Sequence, residues 1–301
     1  MENYFPTRLA LGNSFCNREE EKKRLMVDVK STNPVLIMSP RRYGKTSLAF
    51  KVLEQLEFSY THIDFYKELT ESDIERAILR GVGQLITALE KSPQRLLKLA
   101  QEWFSTIQVK VGSEDGSLTF DLSRKKETEN SADIILHALE RLHELAKKRK
   151  KIVVLFMDEF QILGEVLKTH ALEAAIRQAA QKSTHVAYIF SGSNRHLLSE
   201  MFYDKKRPFY KLCDSILLER ISEAAYEKYI QQAALLRWHK KLSVDTLSII
   251  FKSTEKHSYY VNKLCSLLWL QDFPTEEAVT QCWSKGDSGC VTSFAYFSIS
   301  G

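Results

Sequence analysis

The stretch Val35-Leu-Ile-Met-Ser39-Pro-Arg-Arg-Tyr-Gly44-Lys45-Thr46-Ser47-Leu48 holds the residue types best suited to chemistry. Its spacing, Ser39-x-x-x-x-Gly44-Lys45-Thr46, is one residue away from the P-loop consensus, which begins with glycine. Such a loop works because successive backbone N–H groups curl into an anion nest. The helix that follows turns its positive end toward the same point. Gly44 lets the backbone come close, Lys45 carries a mobile ammonium to terminal phosphates, and Thr46 offers a hydroxyl to Mg²⁺. Ser39 departs from the pattern, but serine is the next smallest polar residue, so the loop is expected to tolerate it. Ser39, Pro40, Arg41, Arg42, Tyr43, Gly44, Lys45, Thr46 and Ser47 are therefore the candidate phosphate-binding residues. Of Arg41 and Arg42, at least one is expected to face outward.

The second candidate group is the acidic pair Asp158-Glu159. It ends the run Lys151-Ile-Val-Val-Leu-Phe-Met, whose six consecutive apolar residues predict a strand buried on both faces, as in a parallel sheet. Ligands of open α/β sheets sit at the C-terminal ends of their strands. Alone, the pair reads equally as two solvated acids; beside the phosphate loop it reads as a metal and water site. Arg195 and Arg207 lie beyond a later strand, where they would either reach a neighbour's site in an oligomer or pair at the surface with Asp204 or Glu200. Tyr66, Tyr188, Tyr226, Tyr229 and Trp238 read as core packing.

These groups need elements to position them. Asn17 is a suitable N-cap for a helix running to Lys30. Val35–Met38 is a strand that feeds the loop, and an amphipathic helix follows to Leu56. Phe58–Phe65 alternates as a second strand. Residues 70–103 read as helical with a break at Pro93. Ser105–Val111 and Ser117–Leu122, separated by Gly112–Gly116, form a β-hairpin outside the main sheet. Ala132–Lys148 is a helix with an apolar stripe, and the basic run Lys147–Lys151 is its solvated end. Glu165–Gln181 is a further helix. His185–Ser191 and Asp214–Leu218 complete five core strands. After Glu219 the pattern is helical over 223–236, 243–253, 257–270 and 275–283. The expected division is a core over 1–220 with an insertion near 105–122, a helical domain over 221–283 and an irregular tail over 284–301.

Composition bounds the partners. The 301 residues carry 43 basic and 38 acidic side chains, a net charge of +5, which is too mild to argue for a nucleic-acid surface. No apolar run is long enough to span a membrane, and the N-terminus lacks the basic flank and apolar core of a secretory leader. Five scattered cysteines without Cys-x-x-Cys spacing fit a reducing, cytoplasmic compartment.

Taken together, the chain resembles the archaeal-type P-loop ATPases of the AAA+/STAND group and their bacterial relatives, over residues 10–283. Phe15-Cys-Asn-Arg18-Glu19 is similar to the family's N-terminal segment, whose neighbourhood contacts adenine. Ser39–Ser47 matches its Gly-Pro-Arg-Arg-x-Gly-Lys-Thr-Ser loop apart from Ser39. Phe156-Met-Asp-Glu-Phe-Gln161 matches its Walker B segment, and Phe190-Ser-Gly-Ser-Asn194 its sensor strand. Arg207-Pro-Phe-Tyr210 and His257-Ser-Tyr-Tyr-Val261 resemble two further landmarks. The resemblance implies a three-layer α/β fold with core strand order 5-1-4-3-2 and a helical lid. It implies ATP and Mg²⁺ as cofactors and hydrolysis as the activity. In those roles Lys45 binds β- and γ-phosphates, Thr46 and Asp158 hold Mg²⁺, Glu159 polarises the attacking water, and Ser193 (or Asn194) senses the γ-phosphate. Nucleotide state would be coupled to the lid and to a protein partner or a second copy. The competing expectations are a nucleotide-gated interaction module with little hydrolysis and a DNA-associated ATPase. The lid shows no clear second sensor arginine, and the winged-helix domain usual after it is not seen in Ser284–Gly301, which weakens a role in DNA docking.

Overall fold

The computed structural model describes residues 4–92, 94–96, 98–99, 107–114, 117–124 and 130–287. In chain order the larger part contains α1 (Glu19–Lys30), β1 (Val35–Met38), α2 (Lys45–Leu56), β2 (Ser59–Asp64), α3 (Glu71–Leu89), β3 (Ile107–Glu114) and β4 (Ser117–Arg124). It continues with α4 (Ser131–Arg149), β5 (Val153–Asp158), α5 (Gln161–Val166), α6 (Ala171–Lys182), β6 (Val186–Gly192), α7 (Arg195–Tyr203) and β7 (Asp214–Leu217). The helical part contains α8 (Glu223–Trp238), α9 (Val244–Thr254), α10 (Ser258–Leu268) and α11 (Glu276–Asp287).

Five strands pair in the order β2-β5-β6-β1-β7, all parallel. Counting only these strands along the chain, the order is 2-3-4-1-5, the one implied by the resemblance. Both β5 and β6 are buried at every residue. On one face Leu155, Met157, Tyr188 and Phe190 join a core with Ile78 and Leu85 of α3, Ile135 and Leu139 of α4, and Ile176 of α6. On the other face Phe50 of α2 meets Phe156 edge-on at 5.8 Å between ring centroids. Helices on both faces make the three layers of an α/β P-loop fold. The strands β3 and β4 pair antiparallel in a separate two-stranded sheet.

Several local expectations are corrected. Asn17 does not cap α1: Asn17 and Arg18 both have positive φ (60° and 73°), and the helix starts at Glu19. Arg18 is 6% exposed and donates to the Glu219 carbonyl at 2.5 Å, a long-range bond that sets the local backbone. The expected helix Glu165–Gln181 is two helices, because Leu167 is extended (φ −77°, ψ 129°) and ends α5. The first hairpin strand extends through Gly112–Glu114, past its expected end at Val111. Residues 284–287, expected in the tail, are the last turn of α11; residues 288–301 lie outside those described. Tyr66 is not core: it is 55% exposed, with the Arg41 guanidinium 5.3 Å from its ring centroid. Tyr188 and Tyr226 are buried.

The chain divides into two compact units. The larger is Glu20–Arg41 with Leu48–Leu218; the smaller is Met1–Glu19, Arg42–Ser47 and Glu219–Gly301. The core of the smaller unit gathers Tyr226, Ile230, Ile250, Val261 and Leu264 around Phe5, whose ring lies 4.4 Å from that of Trp269. Pro6 is held there by Asn262, which donates to its carbonyl at 2.9 Å. Cys16, Cys213, Cys265 and Cys282 carry free thiols; Cys290 is outside the described residues. Among the described residues no helix is long and apolar enough to cross a membrane.

Two charge arrangements matter for stability. In the larger unit Arg207 donates to Glu173 at 2.7 Å and to Glu200 at 3.2 Å. The Glu173 side chain is 1% exposed, and burial raises its pKa against the opposing pull of Arg207 and His170. Arg207 thus serves within the larger unit as the counter-ion of the buried Glu173. In the smaller unit the His257 imidazole is pushed down to about 4, first by burial and then by the Arg220 and Arg42 guanidiniums, which outweigh Glu255.

Two measurements follow. Arg207→Met leaves Glu173 buried without its counter-charge and should cost roughly 3–5 kcal/mol in urea unfolding without nucleotide, with most of it recovered by adding Glu173→Leu. Unchanged stability would show that Arg207 does not act as the counter-ion of Glu173. For His257, the unfolded chain takes up the proton near pH 6.5 and the folded chain near 4. The unfolded state therefore binds more protons in that window, and stability falls as pH drops through it. Melting temperature should decline less between pH 7 and pH 4.5 in His257→Phe than in the unaltered chain; equal declines would show that His257 does not contribute.

Candidate functional site

Parallel pairing brings the C-terminal ends of β2, β5, β6 and β1 to one edge of the sheet. Asp64 stands beside Asp158, and Gly192 beside Met38. The loop Ser39–Gly44 leaves this edge from β1. Ser39 is fully buried, and its hydroxyl donates to the Pro40 carbonyl at 3.0 Å. Its backbone is not among the positive-φ positions, which in this loop are Arg42 (65°) and Gly44 (91°). Glycine is therefore dispensable at position 39 but required at Gly44, where φ lies beyond the range comfortable for other residues. Nothing lies within 4 Å of a Cβ built on Gly44, so the requirement is conformational and not one of space.

The second half of the loop is held by side chains of its own unit. The Tyr43 hydroxyl accepts from Arg220 Nε at 3.2 Å, and its ring meets His257 edge-on at 5.0 Å. The Arg42 guanidinium lies 3.9 Å from the Tyr259 ring centroid, a cation–π contact. The Ser47 hydroxyl accepts from the Ala10 amide at 3.1 Å. Arg41 is exposed, as one of the two loop arginines was expected to be, and Arg42 is exposed with it. These contacts account for the side chains of Arg42, Tyr43 and Ser47. Lys45 (5% exposed) and Thr46 open α2, where the helix N-terminus presents its backbone amides.

The acidic pair is anchored more tightly than its sequence suggests. Asp158 is 5% exposed. Its Oδ1 accepts from the Ser191 hydroxyl on β6 and from the Glu159 amide at 3.0 Å. Its Oδ2 lies 3.4 Å from His62 Nε2 on β2. The His62 ring rests on Phe156 at 4.7 Å. Glu159 has φ 51°, a left-handed turn that redirects its side chain away from the strand's alternation. Its Oε2 accepts from Gln161 Nε2 at 2.6 Å and from Ser193 Oγ at 2.7 Å.

Ser193 thus touches Glu159, while Asn194 caps α7 by accepting from the Leu197 amide at 3.2 Å. Of the two sensor candidates, Ser193 is the one at the acidic pair. Arg195, the first residue of α7, is exposed. The contacts of Ser191 and His62 with Asp158, and the anchoring roles of Gln161, Arg18 and Arg220, carry no signal in local spacing. Gln161, Ser191 and Arg18 lie within the motifs that carry the family resemblance, whereas His62 and Arg220 lie outside them.

Asp158 and Thr46 are hard oxygen donors of the kind Mg²⁺ prefers. Among the described residues no group of three or more His, Cys, Asp and Glu is placed to hold a metal ion.

Known proteins place this architecture. Its fold is similar to that of the Walker-type ATPase of Pyrococcus abyssi, with a TM-score of 0.66 at 15% identity over 97% of this chain and 78% of that one. The ORC2 protein of Aeropyrum pernix, solved as ADPNP–ADP complexes, gives 0.61 at 13% identity over 98% and 73%. The ORC1 protein of the same organism, solved in complex with DNA, gives 0.58 at 13% identity over 92% and 67%. These identities speak for the fold alone. No curated protein matches the sequence significantly. The sequence profile of the ATPase domain predominantly from Archaea matches residues 15–221, and the chain belongs to that family.

Proposed function

We propose that this chain binds ATP with Mg²⁺ and hydrolyses it, and that nucleotide state controls the helical segment 221–283. The observation that carries the reading is the acidic pair at the sheet's C-terminal edge: Asp158 buried at the end of β5, and the Glu159 carboxylate held in place beside it. The strand β1, separated from β5 by β6 alone, runs into Gly44-Lys45-Thr46.

In this reading the loop amides from Ser39 to Ser47 cradle the phosphates, and Lys45 neutralises the β- and γ-phosphate oxygens. Thr46 and Asp158 hold the metal ion, which would offset charge developing on the transferred group. Glu159 orients the attacking water, and Ser193 links that carboxylate to the sensor strand. Positioning and charge neutralisation then carry phosphoryl transfer. The free thiols of the described cysteines are in keeping with work in the cytoplasm.

The response would pass to a protein partner or a second copy of the chain. DNA is a less favoured partner: the net charge of +5 is mild, and the DNA complex belongs to the ORC1 neighbour. A chain that binds ATP and holds it, with turnover negligible, would be a nucleotide-gated interaction module.

Lys45→Ala should abolish binding of a fluorescent ATP analogue. Glu159→Gln should bind ATP within a few-fold of the unaltered protein yet lose about a hundredfold or more in single-turnover hydrolysis. Chelating Mg²⁺ should stop turnover in the unaltered chain. Normal turnover by Glu159→Gln would remove Glu159 from its role, and tight ATP retention without turnover in the unaltered chain would favour the gated module.

A further inference from the structure

Gln161 is a buried residue whose amide is used at one end only. It is 3% exposed; its Nε2 donates to Glu159 Oε2 at 2.6 Å, and its Oε1 has no hydrogen-bond partner among the described residues. The orientation of the amide is dictated by chemistry, because only the NH₂ end can donate to a carboxylate.

The other side of the amide is walled by Gly192, the last residue of β6. A Cβ there would collide with Gln161 Oε1 and would lie 2.9 Å from Leu198 Cδ1. Gly192 has no positive φ, and a Cβ on it would require the Gln161 amide and the Leu198 methyl group to shift. The base of Gln161 is fixed as well: the preceding residue, Phe160, donates its amide to the Ser191 carbonyl at 2.8 Å.

A buried, unsatisfied carbonyl is costly, and an apolar residue of similar length would relieve it. Stability therefore does not account for a glutamine here. What the amide achieves is a second hydrogen bond to the same oxygen that accepts from Ser193 Oγ at 2.7 Å. Two donors on Oε2, one from α5 and one from the segment after β6, hold the carboxylate about its terminal torsion. They leave Oε1 as the oxygen that carries neither bond.

We propose that Gln161 is a positioning residue for hydrolysis: it fixes the Glu159 carboxylate, with Ser193, so that Oε1 is presented to the attacking water. This rests on the assignment of Glu159 as the water-orienting group. A misplacement of about 1 Å at such a group is worth about a hundredfold in rate, so the effect belongs in kcat and not in nucleotide affinity.

The test compares Gln161→Met with the unaltered chain, with Glu159→Gln and with the double variant. Four readouts are taken: melting temperature, equilibrium binding of a fluorescent ATP analogue with Mg²⁺, steady-state kcat and KM, and the identity of nucleotide retained after gel filtration. Gln161→Met should melt at or above the unaltered temperature, bind within about twofold, and lose roughly tenfold to a hundredfold in kcat. It should also retain ATP where the unaltered chain retains ADP. In the Glu159→Gln background it should cause no further loss, because it acts through that carboxylate. Ser193→Ala, which removes the other donor without altering the buried amide, should lower kcat in the same way and covers the case in which Gln161→Met does not fold.

Full kcat in Gln161→Met or in Ser193→Ala, beside an inactive Glu159→Gln, would overturn the positioning role while leaving the ATPase reading intact. So would a further loss in the double variant. An unaltered chain without turnover, or a fully active Glu159→Gln, would overturn both.

Discussion

A strand buried on both faces can carry charge only at its ends, because an ion in its middle would lose its water without gaining a partner. This constraint shapes β5. Its first five residues are apolar and buried, and the first carboxylate is Asp158, its last residue. Parallel pairing with β2 and β6 then supplies what the buried carboxylate needs: the Ser191 hydroxyl from one flanking strand and the His62 ring from the other. The loop from β1 leaves the same edge because β1 runs parallel to β6.

Conformation at single residues then aims the chemistry. Immediately after Asp158 the chain turns left-handed at Glu159, so two adjacent acids play different parts: one faces its strand neighbours, and the other faces Gln161 and Ser193. In the loop the left-handed positions are Arg42 and Gly44, while Ser39 keeps an ordinary backbone. That explains how a serine stands where the consensus has glycine. It also separates two reasons for a glycine in this protein. Gly44 is needed for its φ, whereas at Gly192 the φ is ordinary and a Cβ would displace the buried Gln161 amide.

Long side chains tie distant segments to these turns. Arg18 reaches the Glu219 carbonyl, and Arg220 reaches the Tyr43 hydroxyl and the Glu255 carbonyl within the smaller unit. Arg207 pairs with the buried Glu173, and Arg177 donates to the carbonyls of Pro208 and Tyr210. The segment around Arg207 thus serves the packing of α6 in the larger unit. Guanidinium groups suit such work because one planar head can satisfy several acceptors at once.

The elements and their order were legible in the sequence because they rest on local physics. Six apolar residues ahead of Asp158 could be little other than a buried strand, and the glycine, lysine and threonine of the loop carry their spacing with them. Strand order followed from resemblance and not from periodicity. Misreadings arose where a distant partner overrode a local preference. Asn17 has the chemistry of a helix cap, but the long-range bond of Arg18 sets the turn; Tyr66 has the composition of a core residue, but its place leaves it in solvent. By itself the sequence determined that a phosphate-type loop and an acidic pair lie at the ends of strands. Only the tertiary structure decided that Gln161 and Ser193 share one oxygen of Glu159, that His62 faces Asp158 and that Arg207 is a buried counter-ion. Hydrogen bonds and ion pairs form between atoms a few ångströms apart, and no spacing along the chain specifies that separation for residues drawn from different strands and helices.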